Sequence, residues 1–268
     1  MLNKKALAKR VAVITGSTRG IGRAIAFAYG QAGAKVVLSS SRAEAVEQTC
    51  QAFREQGIVC LGIPCDVSEK AQVANLLAQT VAEWGQVDVW VNNAGISGPY
   101  AATLDVPSQT WERVLQTNLF GCYYGCLTVL PQMLKQKSGK IINLSGGGAR
   151  KAQRFLSAYS TSKAAITRLT DGLAQEYRAH KWLSINVLEP GIVATDMLTH
   201  GEALGEAVEA FKALPRILRI FGTTPEETAA LALHMASSKT DGISGRVFKV
   251  MPRQRALWRL GQTLLRLR

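Results

Sequence analysis

The 268-residue chain has no run of the roughly 18 to 20 consecutive apolar residues that a bilayer-crossing helix needs, although 47% of its residues are hydrophobic. An integral membrane protein is therefore not expected. The first ten residues, MLNKKALAKR, contain no apolar stretch of the kind a secretory leader carries, so the expected location is the cytoplasm. Five cysteines (Cys50, Cys60, Cys65, Cys122 and Cys126) form no Cys-x-x-Cys pair, and an odd count is poor for a closed disulfide framework; they read as reduced, mostly buried thiols. His180, His200 and His234 are too scattered for metal-ligand spacing, so no metal is expected. Repeats and low-complexity linkers are absent as well, which leaves one domain over 1–251 and a short tail over 252–268.

Acidic residues are scarce: 19 against 32 lysines and arginines, a net charge of +13. Four of the bases lie in residues 1–10 and five in 252–268, with no acid in either segment. The rest of the chain carries 23 bases against its 19 acids, a body of only +4. Charge alone thus gives weak support to a nucleic-acid partner, and none is expected.

What is present alternates. Short β-branched runs at 11–15, 35–40, 59–63, 87–92, 140–145, 183–188 and 246–250 are apolar on both faces, as strands buried in a parallel sheet must be. Between them lie segments with helical spacing at 23–31, 43–56, 71–84, 108–135, 164–179 and 225–236, the last opened by Thr223, Thr224 and Pro225. Strict βαβ alternation predicts right-handed crossovers and a doubly wound, Rossmann-like α/β fold with a seven-stranded parallel sheet.

The first strand runs straight into TGSTRGIG at 15–22 and then into a helix. Gly16 can make a tight turn, Gly20 lets backbone approach a pyrophosphate, and Gly22 permits close packing of helix on strand. The spacing is Gly-x-x-x-Gly-x-Gly. In order along the chain follow Asp66 in CDV, NNAG at 92–95, Asn118 in TNLFG, INLS at 142–145, Tyr159 and Lys163 in YSTSK, and EPG at 189–191. With these motifs the chain, over roughly residues 8–250, resembles the short-chain dehydrogenase/reductase family, including its 3-oxoacyl-carrier-protein reductases.

That resemblance implies a nicotinamide dinucleotide held by Gly16, Ser17, Thr18, Arg19, Gly20, Ile21 and Gly22, with Asp66 and Val67 at the adenine. It adds Ala94 and Gly95 beside the adenosine half, Pro190, Gly191, Ile192 and Thr195 beside the nicotinamide, and Asn92 in either cofactor contact or sheet support. Tyr159 would exchange the proton, Lys163 would hold the nicotinamide ribose, and Asn118 would organise a water-linked relay. Four residues apart on a helix, Tyr159 and Lys163 share one face, and an ammonium there is expected to lower the phenol's pKa from about 10. The family's serine, which polarises the carbonyl, falls most often thirteen residues before the tyrosine. That count reaches Gly146, while Ser145 lies fourteen back; one extra residue in the loop GGGARKAQRFLSA restores Ser145, which is the expected residue.

After the second strand, an acid would accept ribose hydroxyls and repel a 2′-phosphate; Ser39, Ser40, Ser41 and Arg42 stand there instead, with Arg19 as a second cation. NADP(H) is accordingly the expected cofactor, ahead of NAD(H). Residues 197–221 are poorly periodic and rich in Leu, Ala and Phe, and read as a mobile lid over an apolar ketone or a 3-oxoacyl group on a carrier. The family further implies a homodimer or homotetramer built on 108–135 and 157–178. Gly146 at the serine position leaves a second function open, a dinucleotide-binding sensor or scaffold with weakened chemistry. Past Val250, Leu257, Leu260, Leu264 and Leu267 form one helical stripe flanked by arginines, with Trp258 beside it; an anionic membrane surface or a neighbouring subunit would each suit it.

Overall fold

The computed structural model describes residues 5–199, 201–252 and 254. Val11–Thr15 (β1), Lys35–Ser39 (β2), Cys60–Gly62 (β3), Val89–Asn92 (β4), Gly139–Leu144 (β5), Leu183–Glu189 (β6) and Val247–Lys249 (β9) form a seven-stranded sheet. Its order is β3-β2-β1-β4-β5-β6-β9, parallel throughout. All seven expected strands are present, with ends shifted by at most two residues. Ile192–Val193 (β7) and Gly222–Thr223 (β8) add a small parallel pair that the sequence did not announce.

The all-apolar strands are explained by helices on both faces. Gly20–Gln31 (α1), Ala43–Arg54 (α2) and Pro225–Ala236 (α10) cover one face, where Ala12, Ile14 and Leu38 meet Ile25, Phe53 and Ala232. Lys70–Trp84 (α3), Gly121–Gln136 (α5) and Ser157–Glu176 (α6) cover the other, where Val13, Val37 and Trp90 meet Leu76, Val129 and Ile166. Val13 lies between Ala12 and Ile14 yet belongs to the opposite core, as the period-2 alternation of a strand requires. The start of α10 is held by a full capping box: Thr224 accepts from the Glu227 N–H, and the Glu227 carboxylate accepts from the Thr224 N–H.

Two expectations are corrected. The single helix expected over 108–135 is Ser108–Leu115 (α4) and α5 joined by a π-helical turn at Gln116–Phe120. Within 197–221, expected as an irregular lid, the chain folds as Ala207–Phe211 (α8) and Leu214–Phe221 (α9), preceded by Asp196–Thr199 (α7). Leu214, Leu218 and Phe221 recur at helical spacing, but the run is only eight residues long and too short to stand out from its flanks. His200 and most of the 252–268 tail lie outside the described residues.

A buried polar chain crosses the sheet. Trp90 Nε1 donates to Asn92 Oδ1 (2.8 Å), Asn92 Nδ2 to Asn143 Oδ1 (2.8 Å), and Asn143 Nδ2 to Thr170 Oγ1 on α6 (2.9 Å). Asn143→Leu would strand both neighbours' polar groups in the core. A loss of about 2 to 3 kcal/mol of unfolding free energy is expected, read as a lower urea midpoint.

Candidate active site

A cleft of about 460 Å³ opens beyond the carboxyl ends of the strands, where β2 and β4 diverge on either side of β1. This is the topological switch point at which open α/β sheets bind ligands. The glycine turn forms its floor. Gly16 has φ +64°, and a Cβ there would come within 2.8 Å of the Ala94 Cα. A Cβ on Gly22 would overlap the Gly16 carbonyl and the Asn93 amide. Asn93 Nδ2 donates to the Thr15 and Gly16 carbonyls, while Thr15 Oγ1 accepts from the Asn93 and Ala94 N–H groups. These four bonds lock the turn to the end of β4.

Helix α1 begins at this turn without a side-chain cap and without an acid in its first turn, and Gly20, Ile21 and Gly22 line the cleft. Unpaired N–H groups at a helix start favour a negative charge, so the turn fits a pyrophosphate. Farther out lie Arg19, Ser40, Ser41 and Arg42, with no acid between Ser39 and Arg42. Asp66 Oδ1 accepts from the Ser68 N–H and hydroxyl, which fixes the Asp66–Val67 backbone at the edge of the cleft. Burial pushes the neighbouring Cys65 thiol up to about 11, so it lines the wall as a neutral group.

At the other end α6 presents Tyr159 and Lys163. Lys163 is 5% exposed; its Nζ lies 5.4 Å from the Tyr159 ring centre and donates to the Leu144 carbonyl at 3.1 Å. Asn118 sits in the π-helical turn and clamps the loop after β4. Its Oδ1 accepts from Ile96 N–H, and its Nδ2 donates to the Ile96 carbonyl and to Ser162 Oγ. Both of its amide hydrogens and one acceptor position are thereby used in holding the loop and α6 to the turn.

Two expectations about chemistry meet a different local environment. Burial pushes the Tyr159 phenol up to about 12 and the Lys163 ammonium down to about 8, so in the free protein the phenol is not brought down. Ser145, expected to polarise the carbonyl, instead donates to the Lys163 carbonyl (3.1 Å) and pairs with Thr167 (2.9 Å). It is Gly146 that faces the tyrosine: a Cβ there would lie 2.7 Å from the phenol oxygen. Following Asn143, Ser145 keeps the strand's alternation and turns its hydroxyl to α6 while still lining the cleft, and Gly146 is the residue whose Cβ position comes nearest the phenol oxygen.

Of the expected cofactor contacts, Gly16, Thr18, Arg19, Gly20, Ile21, Gly22, Ser40, Ser41, Arg42, Asp66, Val67, Ala94, Gly95, Pro190 and Thr195 line the cleft. Ser17 does not: it is fully buried, and its hydroxyl ties the turn to Ser39 on β2. Asn92 belongs to the polar chain inside the sheet, so its role is support. Gly191 and Ile192 do not line the cleft, and the latter pairs with Gly222 between β7 and β8. Asn93, Ile96, Thr117, Asp196 and Met197 line the cleft and were missed. For Asn93 the doubled asparagine of NNAG was a readable signal, since period-2 alternation sends one into the sheet and the next to its rim.

A Rossmann-like sheet with a glycine turn at its switch point and a tyrosine-lysine pair one helical turn apart defines a nucleotide-dependent oxidoreductase. Residues 10–203 match the short chain dehydrogenase family model. Glucose 1-dehydrogenase 2 of Bacillus subtilis is 30% identical, covering 90% of this chain and 93% of its own. Diacetyl reductase [(S)-acetoin forming] of Staphylococcus epidermidis is 31% identical, covering 88% and 95%. A crystal structure assigned as a gluconate dehydrogenase from Agrobacterium tumefaciens superposes with a TM-score of 0.81 at 29% identity, covering 91% and 94%. The chain belongs to the short-chain dehydrogenase/reductase family, whose members bind a nicotinamide dinucleotide.

The lowered Lys163 has a thermodynamic signature. Its folded pKa, near 8, lies below the ordinary 10.5, so the folded state sheds this proton first and stability rises with pH between those values. Lys163→Met should therefore be more stable than the parent at pH 7 by about 3 kcal/mol, with the gap closing above pH 8. Denaturation series at several pH values would show it.

Proposed function

We propose that the protein is an NADP(H)-dependent reductase of an apolar carbonyl compound, a free ketone or a 3-oxoacyl group on a carrier, yielding the secondary alcohol. The observation that carries this reading is the buried Tyr159–Lys163 pair at the end of a cleft whose glycine turn suits a pyrophosphate. When bound, the dinucleotide supplies the hydride. The turn of Gly16 to Gly22 would hold its phosphates, and Arg19, Ser40, Ser41 and Arg42 would hold a 2′-phosphate through charge-assisted hydrogen bonds.

Within the chain, Tyr159 keeps its proton across the physiological range and is therefore set to donate it to the carbonyl oxygen. Lys163 favours the phenolate left behind as long as it is itself an ammonium. Because Gly146 stands where the family's serine would, the phenol is left to polarise the carbonyl without a second hydroxyl from that position. That observation also supports a second reading, a dinucleotide-binding sensor with weakened chemistry. Tyr100 packs against Phe155 and Phe211, with ring centres 5.7 and 5.6 Å away, joining the loops after β4 and β5 to α8. Aromatic rings gathered under the lid helices would suit an apolar substrate.

The half-exposed face of Phe120, Tyr123 and Leu127 supports a homodimer or homotetramer through α5. Burial raises the thiols of Cys50, Cys60 and Cys65, which keeps them protonated and slow to react. Among the described residues no helix is long and apolar enough to cross a membrane.

NADPH consumption with a panel of ketones and 3-oxoacyl thioesters tests the chemistry. Tyr159→Phe should lower kcat at least about a hundredfold while NADPH still binds. NADPH binding without Tyr159-dependent turnover on any substrate would favour the sensor. The rate of reduction should fall as pH rises past about 8, as the Lys163 ammonium is lost. Arg42→Asp should raise KM for NADPH about tenfold and leave that for NADH nearly unchanged; equal effects on both would remove the 2′-phosphate assignment.

A further inference from the structure

Ser145 and Thr167 form a closed set with one backbone carbonyl. Ser145 is 2% exposed, lines the cleft, and is held at its backbone by the bond from its N–H to the Leu188 carbonyl. Its Oγ lies 2.9 Å from Thr167 Oγ1 and 3.1 Å from the Lys163 carbonyl, and Thr167 Oγ1 lies 3.0 Å from the same carbonyl. All three sides of this triangle are hydrogen-bond lengths. Thr170, three residues further along α6, accepts from Asn143 of β5 at 2.9 Å, so strand and helix keep the corners in place.

The protons of the triangle have two arrangements. The Lys163 carbonyl lies inside α6 and has the helical N–H four residues on as a partner, so it does not depend on either hydroxyl. In one arrangement Ser145 donates to that carbonyl or to Thr167 and spends its proton on α6. In the other, Thr167 donates to Ser145 Oγ, and the Ser145 proton turns into the cleft with no heavy atom moved. A hydroxyl that accepts a hydrogen bond donates a stronger one, which favours the second arrangement once an acceptor is in the cleft. Without the Thr167 hydroxyl, the one partner left to Ser145 Oγ among the described residues is the Lys163 carbonyl, which accepts and never donates.

We propose that Thr167 is a positioning residue for carbonyl reduction: its hydroxyl donates to Ser145 Oγ and so releases the Ser145 proton to the substrate oxygen, beside the Tyr159 phenol. The inference rests on the reductase reading above, and it assigns to Ser145 and Thr167 together the second donor that Gly146 does not supply. Two hydroxyl protons reorient, and no covalent bond changes.

The test compares the parent with Thr167→Val, Thr167→Ser, Ser145→Ala and the double variant Ser145→Ala with Thr167→Val in NADPH-driven ketone reduction. Thr167→Val should lower kcat about tenfold with KM for NADPH unchanged, and Thr167→Ser should recover most of the rate. The double variant should be no slower than Ser145→Ala alone, whereas a merely structural role for Thr167 would add its own loss. A second readout needs no turnover: the infrared carbonyl stretch of cyclohexanone, carbon-13-labelled at the carbonyl, bound together with NADP+. That band should lie at lower wavenumber in the parent than in Thr167→Val, which lacks the second donor. A ketone that shows this difference but is not reduced would defeat the reductase reading while upholding the Thr167–Ser145 arrangement. Parental or higher kcat in Thr167→Val, additive losses in the double variant, or no bound-ketone band that differs between parent and Thr167→Val overturns the proposal.

Discussion

The chain of side-chain amides from Trp90 through Asn92 and Asn143 to Thr170 is the interaction on which the site's geometry rests. It runs from β4 to β5 and onto α6, three elements that share no local sequence. Buried amides tolerate little displacement, because a missed hydrogen bond in the core leaves a desolvated donor or acceptor. Ser145 and Thr167 extend the same anchoring toward the site, and Lys163 adds a bond to Leu144. The helix that carries the tyrosine and lysine is therefore positioned by polar contacts of fixed direction in addition to apolar packing, which alone would allow it to slide.

The mouth of the cleft follows a different rule. The glycine turn is closed by Asn93 and Thr15 through backbone groups, which leaves the start of α1 without a cap. An uncapped helix start costs stability in the free protein and becomes useful when an anion arrives. Lys163 follows the same pattern, since burial disfavours its charge in the free protein. Both features hold electrostatic cost at the site that a bound, negatively charged ligand would relieve.

Gly146 is the departure with the most consequence. The phenol oxygen of Tyr159 approaches the space that a Cβ at this position would fill, while the neighbouring Ser145 lines the cleft with its hydroxyl bonded to α6.

The order of strands and helices, the glycine turn, the tyrosine-lysine pair and the absence of an acid after β2 were all legible in the sequence, because each depends on periodicity or on residues near one another in the chain. The helix of 108–136 could not be read as interrupted, since the π-turn at Asn118 is stabilised by bonds to Ile96 and Ser162, both distant in sequence. Ser145 and Gly146 could not be told apart by counting, because the answer depends on which of two neighbours points into the cleft. The pKa expectation for Tyr159 failed for a related reason: spacing reports which charges are near, while burial is set by everything packed around them. The amino-acid sequence by itself thus determined the sheet, the turn and the identity of the chemical groups. Tertiary structure decided their direction and their solvation, since both are properties of surroundings assembled from strands and loops far apart along the chain.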